Sequence, residues 1–146
     1  MNPREVAIKM AARYDTNNPF MIARERDIKV LYEPMKTTLG FYVRYHRCQN
    51  IILNNALPEG MQRFVCAHEL GHSILHADLN VPKLTRYTMF SRDKFERQAN
   101  TFAVELLLPD ELLREYEGYS IYHLAASCGV PQEFVDLKRY GNKRYG

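Results

Sequence analysis

FVCAHELGHSILH, residues 64–76, is the stretch that organises the rest of the chain. Read as part of one helix from about Glu59 to Ala77, it sets His68 and His72 about 40° apart around the axis and about 6 Å along it. Two imidazoles so placed offer their ring nitrogens to one point, which is what a tetrahedral zinc ion needs of two of its ligands. Glu69 is turned about 60° from His72, near enough to hold a water at that point yet outside the ligand positions. The plainer alternative is a core helix with two hydrogen-bonded histidines, and a third ligand decides between the two.

His76 continues the register but lies a further turn along, so its ring points past an ion centred between His68 and His72; it reads as an outer or structural group. Cys66 is turned away around the helix. Glu96, 24 residues after His72, leaves room for the chain to exit one helix, cross a loop and return on a second. Asn100 follows on the same face, where its carbonyl can accept the Nδ1–H of a ligand histidine and fix that ring. The competing carboxylates fit less well. Glu105 sits among Leu106, Leu107 and Leu108 and is expected on an exposed edge, Asp78 follows the first helix too closely, and Asp93 belongs to a first helical turn, where it favours the dipole. Gly71 costs about 1 kcal/mol within a helix, a cost that close approach of a strand, a substrate or the second helix would offset.

Outward from this core, Arg4–Tyr14 reads as a helix, and Asn17 or Asn18 caps a second that starts near Pro19 and runs to about Arg26. Ile28–Tyr32, Leu39–His46 and Asn50–Leu53 read as strands, the last two a hairpin turning around Arg47–Gln49. Asn80–Ser91 reads as a loop, and Ser91 as the cap of a helix from Arg92 to Leu107 that stops before Pro109. Asp110–Tyr116 adds a short helix or turn. Ser120–Cys128 and Pro131–Tyr140 form a final helix pair hinged at Gly129. The class is α+β, a small antiparallel or mixed sheet among helices. We expect a single domain over residues 1–146, with 118–146 a C-terminal helical subdomain.

The 146 residues are 46% hydrophobic and 25% charged, which excludes a collagen-like or globally disordered chain. With 20 Lys and Arg against 17 Asp and Glu, the formal charge of +3 is too small to argue for nucleic acid. The basic cluster Lys138, Arg139, Lys143 and Arg144 reads as a solvated tail. The final helix pair has the spacing of a helix-turn-helix, but Glu133 and Asp136 stand where base-reading residues would, so packing explains it better than DNA and no direct nucleic acid is expected. The opening MNPREVAIKMAARY is charged throughout, and no apolar run approaches the length of a membrane span. Three widely spaced cysteines, Cys48, Cys66 and Cys128, fit a reducing compartment, so a cytoplasmic protein without membrane contact is expected.

Two histidines and one carboxylate leave one place at a zinc ion open for water, and Glu69 is positioned to take that water's proton and pass it to a leaving amine. The reaction class is hydrolysis of an amide, most naturally a peptide bond. Tyr42, Tyr45 and Tyr87 are candidates for oxyanion or substrate contacts. The strand around Gly40–Tyr45 offers an edge for an extended peptide, unless the N-terminal helices cover it.

The run from Phe64 to His76, followed by FERQAN at 95–100 and FAVELLLP at 102–109, resembles the ImmA/IrrE family of zinc metallopeptidases. The likeness takes in Asn18-Pro19, the YEP at Tyr32 to Pro34 and the EGY before the final helices. It implies a minimal, gluzincin-like zincin fold with His68, His72 and Glu96 as zinc ligands, Glu69 as catalytic base and Asn100 as the partner of a ligand histidine. It also implies cleavage of a helix-turn-helix repressor that governs a mobile element, prophage or stress response. Gln98 stands where the family often has a second acidic residue. The rival reading is a repressor- or DNA-binding module whose zinc is structural or vestigial.

Overall fold

Asparagine begins each of the first two helices. Asn2 caps α1 (Pro3–Tyr14) and Asn18 caps α2 (Pro19–Glu25), each side chain accepting two backbone N–H bonds ahead of a proline in the first turn. In the computed structural model, which describes residues 2–140 and 143–144, strands β1 (Ile28–Glu33), β2 (Thr38–Tyr45) and β3 (Cys48–Asn54) follow. Next comes α3 (Glu59–Leu75), then β4 (Leu84–Thr85) and α4 (Arg86–Met89). After these run α5 (Lys94–Leu107), α6 (Asp110–Glu115), α7 (Ile121–Ser127), a 3-10 helix over Gln132–Leu137, and strands β5 (Arg139–Tyr140) and β6 (Lys143–Arg144).

The main sheet is mixed, in the order β1-β3-β2-β4. β2 and β3 form the antiparallel hairpin, and β1 adds to β3 in parallel, Ile28 opposite Gln49. α3 packs against β2 and β3, α5 packs on α3, and α1 covers α5. Two glycines permit this closeness. A Cβ on Gly40 of β2 would lie 2.7 Å from a methyl of Val65, and one on Gly71 would lie 2.9 Å from the Phe102 ring of α5. The cost of Gly71 in mid-helix is therefore met by the approach of the second helix. α7 and the 3-10 helix share the same core through Leu124, Val130, Phe134 and Val135, and Phe134 stacks between Phe64 and Phe90.

Several expectations need correction. The hairpin turns at His46–Arg47, because His46 takes a left-handed φ of 56° and closes a two-residue turn. α3 ends at Leu75, with His76 leaving the helical region. The stretch 80–91 holds β4 and α4: Leu84 is buried against the sheet, and Thr85 with Thr88 forms a reciprocal cap. α5 starts at Lys94, capped by Asp93 rather than Ser91, because the Asp93 carboxylate accepts the N–H groups of Phe95 and Glu96. The outer edge of β2 is covered by β4 at Thr38–Gly40, not by the N-terminal helices.

The C-terminal segment differs most. Glu105 is buried rather than at an exposed edge, held by Arg4 at 2.7 Å and Lys138 at 2.8 Å. Lys138 is fully buried, not solvated, and also meets Asp110 at 2.7 Å. The Arg139 N–H donates to the second oxygen of Glu105. These bonds draw the backbone at Lys138 into extended geometry, so the helix expected over 131–140 is a six-residue 3-10 helix followed by a strand. The side chains of Lys143 and Arg144 lie outside the described residues.

Candidate metal centre

α3 brings His68, Glu69 and His72 to one buried point, and the first two turns of α5 bring Glu96 and Asn100 to meet them. Glu96 Oε1 lies 2.9 Å from Nε2 of both His68 and His72, and the two Nε2 atoms are 3.1 Å apart. Among the described residues, His68, His72 and Glu96 form the one group of three His, Cys, Asp or Glu side chains whose donor atoms converge in this way.

The far nitrogens explain what this triangle offers. His68 Nδ1 is 2.7 Å from Asn100 Oδ1, and the Asn100 amide is oriented because its Nδ2 donates to the Met89 carbonyl. The ring therefore carries its proton on Nδ1 and turns a lone pair inward at Nε2. His72 Nδ1 lies 2.9 Å from His76 Nδ1, and His76 Nε2 lies 2.6 Å from Gln98 Oε1. With the amide oxygen accepting from His76, the protons run outward and His72 too presents a lone pair. Two nitrogens and a carboxylate oxygen then face one another with no donor between them, a set that a cation satisfies. Tetrahedral zinc at about 2.0–2.1 Å spaces its ligands about 3.3 Å apart, so the 2.9–3.1 Å triangle needs only a slight opening. The residues fit the ion.

The two carboxyl groups of the site are pushed in opposite directions. Burial pushes Glu69 up to about 7; His72 opposes this, the Glu96 charge adds to it, and the backbone N–H of Tyr42 donates to the carboxylate and opposes it. Burial also works to raise Glu96, but hydrogen bonds and positive charge from His68 and His72, present when those rings carry a proton at Nε2 and absent in the neutral tautomers above, outweigh it and hold the group at about 2. Burial lowers the His76 imidazole, which favours its neutral form. Cys66 is buried, its thiol pushed far up by desolvation, and it takes no part in the cluster.

A cleft of about 450 Å³ opens on Glu69 and His72 between β2 and the chain after α3, with Tyr42, Arg44 and Asp78 in its walls. A larger cavity of about 660 Å³ runs along β1 past Phe20 and Tyr32, away from the converging groups. The tyrosine candidates separate. The Tyr42 phenol donates to Gln49 at 2.7 Å, and the residue reaches the site through its backbone N–H instead. Tyr45 is 71% exposed and packs against His46, and Tyr87 is 86% exposed; neither lines the cleft. Sequence reasoning missed the backbone N–H of Tyr42, the Met89 carbonyl and Gln98. For Gln98 the signal was the His68, His72, His76 series at intervals of four, which asks what the last ring bonds to.

Comparison with known proteins agrees with this geometry. Residues 23–139 match the peptidase family described as the IrrE N-terminal-like domain. The chain is 39% identical over 133 residues to uncharacterized immunity region protein 2 of Bacillus phage phi105, covering 89% of this chain and 84% of the phage protein. It is 33% identical over 129 residues to metallopeptidase ImmA of Bacillus subtilis strain 168, covering 86% and 76%. With the His68-Glu69-Leu70-Gly71-His72 motif on a buried helix facing Glu96, the chain belongs to the ImmA/IrrE family of zinc metallopeptidases.

Proposed function

We propose that the chain is a zinc-dependent endopeptidase that cleaves a helix-turn-helix transcriptional repressor, in the control of a mobile element, prophage or stress response. The observation that carries the peptidase chemistry is the inward-facing triangle of His68, His72 and Glu96 beside the buried carboxyl of Glu69. The regulatory setting is supported by the two relatives, one an immunity region protein of a phage and the other a metallopeptidase. Free cysteines, one of them exposed, support a cytoplasmic location. No helix among the described residues is long and apolar enough to cross a membrane.

His68, His72 and Glu96 hold the ion, and Asn100 keeps His68 in the ligating tautomer. When bound, zinc polarises the scissile carbonyl and makes water a usable nucleophile near neutral pH. Glu69 takes the proton of the attacking water and returns it to the leaving amine, a task suited to a buried carboxyl that opens on the cleft beside the ligands. The backbone N–H of Tyr42 faces that carboxylate and favours its charged form. Beyond Gly40 the outer edge of β2 has no strand partner among the described residues, and an extended substrate segment adds there through main-chain hydrogen bonds.

The test is incubation of the purified protein with the repressor encoded beside it, with and without a zinc chelator, alongside Glu69→Gln. Cleavage by the zinc-loaded protein, lost with chelator and in Glu69→Gln while that variant still binds zinc and repressor, is the expected result. Cleavage by Glu69→Gln removes Glu69 as the base, and repressor binding without cleavage by the wild type supports the rival reading of a binding module.

A further inference from the structure

His68 and His72 both turn Nε2 toward Glu96, but their outer nitrogens are held differently. His68 leans on an amide anchored to a backbone carbonyl. His72 leans on a second imidazole, which leans on Gln98. We propose that Gln98 and His76 are positioning residues that select the tautomer of His72, with the orientation of the Gln98 amide deciding whether His72 offers a lone pair to the ion. This rests on the reading above that His72 holds zinc.

Two neutral imidazoles with Nδ1 atoms 2.9 Å apart share one proton between those atoms. In one arrangement His72 carries it, so His76 is protonated at Nε2 and needs an acceptor there; Gln98 Oε1 at 2.6 Å provides it, and His72 Nε2 is left as a lone pair. In the other, His76 carries the proton at Nδ1 and its Nε2 is an acceptor, served by the amide nitrogen of a flipped Gln98. His72 is then protonated at Nε2 and donates to Glu96, 2.9 Å away, in place of ligating. Every proton of the chain reverses together with the amide. Phe95 packs edge-on against the His76 ring at 4.9 Å and holds it between His72 and Gln98.

A glutamate at position 98 only accepts, so it supports the ligating arrangement alone; a methionine supports neither. The experiment measures zinc affinity by competition with a chromophoric chelator, and reads imidazole tautomers from long-range ¹H–¹⁵N correlation spectra of the zinc-loaded protein. Expected are a 10–100-fold loss of affinity in Gln98→Met, about the size of other outer-partner losses at metal sites, and wild-type affinity or better in Gln98→Glu. His76 in the wild type is expected to be protonated at Nε2. His76→Ala is expected to cost a similar factor, and the double variant His76→Ala/Gln98→Met no more than either alone. Wild-type affinity in Gln98→Met, or a wild-type His76 protonated at Nδ1, overturns the relay while leaving the metal site standing. A wild-type protein that binds no zinc through His68 and His72 overturns the reading beneath it.

Discussion

Two buried carboxylates stand nine residues apart on α5, and their company separates them. Glu105 meets the guanidinium of Arg4, the ammonium of Lys138 and the N–H of Arg139, so its charge is neutralised by the protein itself. Glu96 meets two imidazole nitrogens whose protons are drawn to the far side by Asn100 and by His76. The first cluster ties the start of α1 to the C-terminal segment and is complete. The second is complete only with a cation. Burial alone does not distinguish a structural carboxylate from a ligand; what distinguishes them is whether the neighbours arrive with protons or with lone pairs.

The largest expected difference lies between removing each of the two. Glu96→Ala should lower zinc affinity more than 100-fold, beyond the usual loss of an outer partner, and bring peptide cleavage to background, as read by chelator competition and a cleavage assay. Glu105→Ala should leave zinc affinity unchanged and lower folding stability by about 3–5 kcal/mol, because two buried or half-buried cations, Lys138 and Arg4, are left to share Asp110; urea denaturation measures this. A zinc defect in Glu105→Ala with little change in stability would show that the two carboxylates do not divide the work in this way.

Glu69, a third buried carboxyl, differs from both in its response to pH. In the zinc-free protein its carboxyl is raised from 4.5 to about 7, so ionising it costs folding stability. Below about pH 4.5 the group is protonated in folded and unfolded chains alike and the cost is absent; it grows as pH rises and is fully present above about 7. Glu69→Gln should therefore be the more stable protein at pH 8 by up to about 3 kcal/mol, with the difference closing toward pH 4.5, in denaturation run with chelator present. The smallest effect concerns Asn100. Asn100→Leu removes the acceptor of His68 Nδ1 without touching the ion, and should lower zinc affinity about 10-fold with the ligand triangle kept.

Much of the site is legible in the order of residues because it rests on helical periodicity. His68 and His72 face one point by spacing alone, and Glu96 with Asn100 repeats that spacing on a second helix. The Asn-Pro starts of α1 and α2 combine a side-chain acceptor with a preset φ, and α2 is plain in sequence for that reason. Glu105 is not legible, since its partner Arg4 lies 101 residues away and three leucines beside it describe only the packing. The 3-10 helix at 132–137 escapes for the same cause: the pull of Glu105 on Lys138 and Arg139 is tertiary, while the local pattern suits an α-helix. β4 and α4 are too short to show a period, and only Thr85 with Thr88 marks them. The contact of His76 with Gln98 needs both helices in place before it exists.

Whether His68, His72 and Glu96 together hold zinc is decided by a crystal structure of the zinc-loaded protein with anomalous data at the zinc edge. One strong peak is expected, bonded to His68 Nε2, His72 Nε2 and a carboxylate oxygen of Glu96, with no other side chain in its coordination sphere. A peak away from Glu96, or one whose fourth ligand is His76 or Cys66, would contradict it.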